Sequence, residues 1–158
     1  MKQIKTLFLL MSFLMLSFIS CQDTQTIADT NAEFEKRNWS YSQKISIPVK
    51  IEATDISYNL YLNLRHSAGY KYSNIFIMIH ITGPDGKKVT ERREFKLALA
   101  DGEWLGSGSG NMYNYRINFK ENYKFPVKGT YIFELEQNMR DNPLDHISDV
   151  GIRVEKAL

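Results

Sequence analysis

Beyond roughly residue 40, apolar and polar residues take turns along the chain. Ile45, Ile47, Val49 and Ile51 interleave with Lys44, Ser46, Pro48 and Lys50. Successive side chains of a strand point to opposite faces, so this period of two predicts a strand with one buried and one wet face. Pro48 has no N–H to give to a ladder, which predicts a sheet edge. Tyr58, Leu60, Leu62 and Leu64 alternate with Asn59, Tyr61, Asn63 and Arg65 in the same way. Ile75 to Ile81 is apolar at nearly every position and predicts a central strand covered on both faces. It runs into Thr82-Gly83-Pro84-Asp85-Gly86, whose glycines and proline supply the dihedrals of a reversal.

The alternation returns in Phe95, Leu97 and Leu99, in Tyr113, Tyr115, Ile117 and Phe119, in Tyr131, Phe133 and Leu135, and in Val150, Ile152 and Val154. Turns rather than amphipathic helices separate these runs, so no crossover helices exist for a parallel sheet. The expected fold is all-β: an antiparallel β-sandwich of about seven to nine strands, with a closed β-barrel as the alternative. One helical turn is allowed over Asn138 to His146, shortened by Pro143. No internal repeat or second domain is visible, and residues 34–158 read as a single β-rich unit.

The N-terminus follows a different pattern. Lys2 and Lys5 precede the apolar run Leu7 to Ile19, broken only by Ser12 and Ser17, and the small Ser20 follows. Such a run is too short for the roughly 20 residues of a bilayer span and has the layout of a secretory signal over residues 1–20. The chain's one cysteine, Cys21, comes next. Phe18-Ile19-Ser20-Cys21 resembles a lipobox, in which the thiol is the nucleophile that takes a diacylglyceryl group before cleavage. Two or three acyl chains hold stably in a bilayer where one does not. Residues 21–33 are polar and without apolar periodicity, which predicts a flexible tether behind the lipidated cysteine.

That processing changes the charge. The chain has 20 basic and 18 acidic residues. Removing Lys2 and Lys5 leaves 18 of each, so the mature domain is formally neutral and lacks the basic footprint of a nucleic-acid binder. With Cys21 consumed, no disulfide or thiolate metal site can form, and His66, His80 and His146 have no ligand spacing. Gly106 to Gly110 lacks the lysine and following helix of a phosphate cradle, and reads as a flexible strand connection. Asp141, Asp145 and Asp149 lack the dense spacing of a calcium loop and read as turn residues. No catalytic residues are assigned, and the expectation is a protein that is not an enzyme and has no cofactor beyond the lipid on Cys21.

Candidate contact residues sit outside the alternating runs. Tyr70 and Tyr72 flank Lys71 in a glycine-containing loop, and Trp104 precedes the glycine run. With Trp39, Tyr41 and Tyr113 they would suffice for a sugar-stacking platform, although aromatics in all-β proteins mostly fill cores. Arg65 and Arg140 could meet a partner carboxylate or bond a nearby aspartate. The candidate interaction surface is therefore Arg65, Tyr70, Tyr72, Trp104 and Arg140.

Five segments taken together resemble the gliding-motility lipoprotein GldH family. They are Tyr61–His66, Tyr70–Phe76, Gly102–Gly108, Tyr131–Arg140 and Asp149–Lys156, in matching order and spacing behind the signal and Cys21. The resemblance implies a lipoprotein of the Gram-negative cell envelope, held to the bilayer by acyl chains such as palmitate. It implies a part in surface gliding by bacteria without flagella or pili, and in an associated outer-membrane protein-secretion system. It carries over Cys21 as the lipidation site and no catalytic residue. The expected partners are the bilayer and other gliding or secretion proteins, with no nucleic acid. A cell-surface carbohydrate-binding module is the alternative. The inner and outer membranes are both open, the outer slightly favoured.

Overall fold

The computed structural model describes residues 25–157, so the expected signal and Cys21 lie outside the described residues. All regular elements among them are strands: β1 (Thr26–Glu33), β2 (Asn38–Trp39), β3 (Ile45–Ile51), β4 (Tyr58–Ser67), β5 (Asn74–Thr82), β6 (Lys88–Lys96), β7 (Ser107–Ser109), β8 (Met112–Tyr123), β9 (Gly129–Gln137), β10 (Leu144–Asp145) and β11 (Ile147–Lys156). They form a five-stranded sheet in the order β1-β11-β4-β8-β7, a four-stranded sheet in the order β3-β9-β5-β6, and a small β10-β2 ribbon. The pairings are antiparallel, and neither large sheet closes on itself. The fold is the expected open sandwich, and the barrel alternative is excluded.

The core lies where the two inner faces meet. Leu60, Leu62 and Leu64 of β4 and Val150, Ile152 and Val154 of β11 are buried on one side, and Ile47, Val49 and Ile51 of β3 with Ile75, Ile77 and Ile79 of β5 on the other. Burying one such side chain contributes about 1.5–3 kcal/mol, so these rows hold the sheets face to face. Pro48 stands on an edge strand as expected. The turn after β5 forms as read, with Gly86 at φ 77°, a conformation that costs glycine little.

Other expectations are corrected. The tether is a strand from Thr26 on, because β1 pairs with β11 through seven register positions. Ala28, Thr30 and Ala32 share the inner face with Val154, Ile152 and Val150, so the period of two is present but carried by residues too small to show it. The strand at Ile75–Ile81 is covered on one face only; Phe76, Met78 and His80 are half-buried. The run around Phe95 belongs to a longer strand beginning at Lys88, unread because Lys88–Arg93 forms a charged sheet edge. Asn138–His146 contains no helical turn; Leu144 and Asp145 pair instead with Trp39 and Asn38. Part of the glycine run is itself a strand, β7, paired with β8.

The pairing gives the sandwich two distinct poles. Thr26 lies opposite Glu155, and Lys156, Tyr58 and Tyr123 are in register beside them. At the other end Glu33 lies opposite Asp149, Ile147 opposite His66, and Ser67 opposite Met112. Ten residues of β4 or β11 separate these poles, which at about 3.3 Å per residue is roughly 30 Å.

At Gly151 the β1 backbone leaves no room for a side chain on β11. A Cβ there would stand 2.1 Å from both the Thr30 carbonyl oxygen and Asn31 Oδ1. Backbone cannot yield as a flexible side chain does. Gly151→Ala is expected to lower stability by about 2–3 kcal/mol, measured by urea unfolding. Unchanged stability would mean that β1 is not packed at this register.

Candidate functional site

The far pole, remote from Thr26, collects most of the candidate residues. Its interior is organised by His66, which sequence reasoning passed over because it has no ligand spacing. Its ring is fully buried among Trp104, Tyr70, Tyr115 and Tyr113, with centroids 4.4, 5.1, 5.2 and 5.6 Å away. Nδ1 lies 2.9 Å from the Ser67 carbonyl oxygen and Nε2 lies 3.0 Å from the Tyr115 hydroxyl. That hydroxyl reaches the Leu97 carbonyl at 2.9 Å. Both carbonyls can only accept, so these three contacts need three protons. A neutral imidazole and one hydroxyl bring two. Burial nevertheless holds the imidazole below the usual histidine range, its bond to Ser67 opposing and nearby His146 adding to the shift. The Tyr115 hydroxyl is pushed by burial up to about 12 and stays protonated.

Tyr70 was expected to be exposed and is not: it is buried beside His66, its hydroxyl donating to the Asn74 carbonyl at 3.0 Å. Trp104 is half-buried over His66 and plugs this end of the sandwich. Tyr72 continues the aromatic chain outward, 5.8 Å from Tyr70. There it joins Phe76, Arg92, Asn138, Met139 and Arg140 around a surface pocket of about 350 Å³. Phe76 and Arg92 were invisible to the sequence reading, the first taken as fully buried and the second lying in the unread part of β6.

The wall of this pocket is braced. Buried Gln137 accepts from the Met139 N–H at 2.8 Å and donates to the Asp141 carbonyl at 2.9 Å. The Tyr41 hydroxyl donates to the Met139 carbonyl at 2.5 Å, and Lys71 forms an ion pair with Asp141. The Phe76 N–H points at Met139 Sδ, 3.2 Å away. Arg92 lies over the Phe76 ring, with Cζ 3.9 Å from its centroid, and donates to Asn138 Oδ1 at 2.6 Å. Neither Arg92 nor exposed Arg140 has a carboxylate partner among the described residues. The result is an apolar slot between two uncompensated guanidinium groups.

Arg65 stands apart. It points to the opposite face of β4 from His66, ion-pairs with Asp149 and lies 3.6 Å from Glu33. Burial pushes the Asp149 carboxyl up, against the pull of Arg65. Arg65 lines a polar trough of about 430 Å³ with Asp29, Asn31, Asn63, Asn114 and Arg116. Asn63 donates to Asp29 at 2.6 Å and to Asn31 at 3.0 Å, so much of that polarity is already satisfied internally. The structure therefore joins Tyr70, Tyr72, Trp104 and Arg140 and separates Arg65 from them. It forms no coplanar aromatic row: Tyr41 is the one aromatic more than a third exposed among the described residues, and Trp39 is wholly buried.

The fold is that of an all-β sandwich domain with a surface slot at its far pole. A family model described as GldH lipoprotein matches residues 26–154. The chain belongs to the GldH lipoprotein family, and is thereby a membrane-anchored envelope lipoprotein. It is 33% identical over 154 residues to a protein of Christiangramia forsetii named gliding motility lipoprotein GldH homolog, covering 92% of each chain. It is 28% identical over 125 residues to the gliding motility lipoprotein GldH of Flavobacterium johnsoniae, covering 75% of this chain and 77% of that one. Among solved structures, the infectious bursal disease virus VP2 subviral particle is similar at a TM-score of 0.36 and 15% identity, over 82% of this chain and 30% of that one. A likeness that low carries no weight for fold or function.

The buried His66 has a measurable consequence. Its folded-state value lies below the ordinary 6.5, so as pH falls through about 6.5 the unfolded chain takes up a proton that the folded chain resists. Its contribution to stability is intact above that pH and is lost between it and the lower folded value. NMR titration of the His66 ring is expected to show a midpoint below 6.5, with the thermal midpoint falling over the same interval. A ring midpoint at or above 6.5 would contradict this.

Proposed function

We propose that this lipoprotein is a non-enzymatic component of the gliding-motility machinery and of its associated protein-secretion system. It is anchored through acyl chains on Cys21 and acts by protein–protein contact at its far pole. Family membership and the names of the relatives support the gliding role. The observation that carries the contact reading is the composition of that pole. Among the described residues, Tyr41, Leu99 and Leu105 are large, apolar and exposed at that pole, where the slot flanked by Arg92 and Arg140 also opens. Clustered exposed apolar groups mark contact sites, and arginine and aromatic residues dominate contact energies.

The slot also describes its partner. Tyr72, Phe76 and Met139 line the interior with apolar surface, and the two guanidiniums offer bidentate donors to an anion. The fitting element is a segment of an envelope protein in which an aliphatic or aromatic side chain stands beside Asp or Glu. Loss of both cations would remove the charge complement while leaving the core untouched.

The double variant R92E/R140E, produced as a cell's only copy, is expected to fold, with a thermal midpoint lowered only by the loss of the Arg92 contacts to Phe76 and Asn138, and to fail to restore gliding. A photocrosslinking residue in place of Tyr72 should capture gliding or secretion proteins, with at least about a thirtyfold lower yield in the double variant if about 2 kcal/mol of paired-charge contact is lost. A folded double variant with full gliding would rule out the slot as the contact site.

A further inference from the structure

The near pole is where the chain enters the sandwich. The chain leaves the sandwich at Gln25, whose carbonyl accepts from the Lys156 N–H at 2.9 Å. Cys21 is four residues earlier, and extended backbone spans at most about 3.5 Å per residue, so Cys21 stands within ~14 Å of Gln25. That is half the separation of the poles or less. With acyl chains on Cys21 entering the hydrocarbon, the headgroup layer of about 5–8 Å takes up about half of that reach. The strand β1 removes the slack that a tether would have supplied.

The surface brought to the bilayer is prepared for it. The loop between β8 and β9, Lys124-Phe125-Pro126-Val127-Lys128, sits at this pole. Phe125 is buried against Tyr131, Tyr123 and Tyr58, at centroid separations of 4.6, 4.8 and 5.3 Å. The Tyr131 hydroxyl donates to the Val127 carbonyl at 3.0 Å. With Phe125 pinned inward, Lys124, Val127 and Lys128 are exposed. An apolar tip between two lysines is the pattern of an interfacial contact, because the lysine stems lie along apolar surface while their ammonium groups stay among headgroups.

Charges at this pole lean the same way. Lys50 and Lys87 are occupied by Glu52 and Asp85. Lys124, Lys128 and Lys156 have no ion pair among the described residues, and the exposed carboxylates of this pole are Glu52, which lies near Lys156, with Asp55, Asp85 and Glu121. At the far pole, by contrast, the loop after β6 exposes Asp101 and Glu103.

We infer that the β8–β9 loop, through Lys124, Val127 and Lys128, rests on the lipid headgroup layer and holds the far pole away from the membrane. The inference depends on Cys21 as the lipid-bearing residue. A lysine beside an anionic surface strengthens binding about fivefold, so anionic headgroups are the preferred support.

Lipidation consumes the native thiol, so an introduced cysteine is the single site for a thiol-directed dye. Lipidated K128C and E103C proteins, purified from cells, carry an environment-sensitive fluorophore on vesicles of phosphatidylethanolamine and phosphatidylglycerol doped with nitroxide lipid. The dye at position 128 is expected to lose most of its emission and the dye at 103 to keep it. Omitting phosphatidylglycerol should weaken the quenching at 128; indifference to it overturns the role of the lysines. Protein that floats with vesicles but is quenched equally at both positions, or only at 103, overturns the orientation while leaving Cys21 in place. Protein that does not float overturns both.

Discussion

Along β1, main-chain hydrogen bonds to β11 do the work that apolar side chains do elsewhere in the sandwich. Ala28, Thr30 and Ala32 bury little, while on the outer face Asp29 pairs with Arg153 and Glu33 approaches Arg65. The strand holds because Gly151 lets its backbone come close and because Phe34, just past its end, is buried and donates to the Ser148 carbonyl. From this pairing follows the polarity of the molecule. It sets where the chain leaves the domain, and with it which pole lies beside the lipid anchor proposed at Cys21.

The far pole is built from the inside outward. His66 and the Tyr115 hydroxyl hold the Ser67 and Leu97 carbonyls, and the rings of Tyr70 and Trp104 close over the imidazole. Tyr72 then leads to the slot, whose wall Gln137 and Tyr41 hold in place. A contact site backed by a packed interior loses little conformational entropy when a partner binds. The same arrangement means that substitutions at Trp104 or Tyr70 act on packing as well as on the surface, whereas Arg140 acts on the surface alone and Arg92 also on Phe76 and Asn138.

Legibility in the sequence followed side-chain size. Strands whose inner face carries Leu, Ile, Val, Tyr or Phe were read at nearly their true positions, as with β3, β4, β8, β9 and β11. Strands held by backbone pairing and small or charged residues were not, as with β1, β7 and the first half of β6. Tyr72 and Arg140 were found because they lie in loops. Phe76 and Arg92 were not, since nothing local marks a strand residue as the neighbour of a loop some 50 to 60 positions away.

The amino-acid sequence alone determined the all-β class and the family, because each is written in local order: periodicity, composition and motif spacing. Which aromatics are core and which are surface, and which arginines are already paired, depended on contacts between residues distant in the chain. So did the opposition of the two poles. Those contacts come from strand order and register, which period-two patterning leaves open because every antiparallel arrangement of the same strands satisfies it equally.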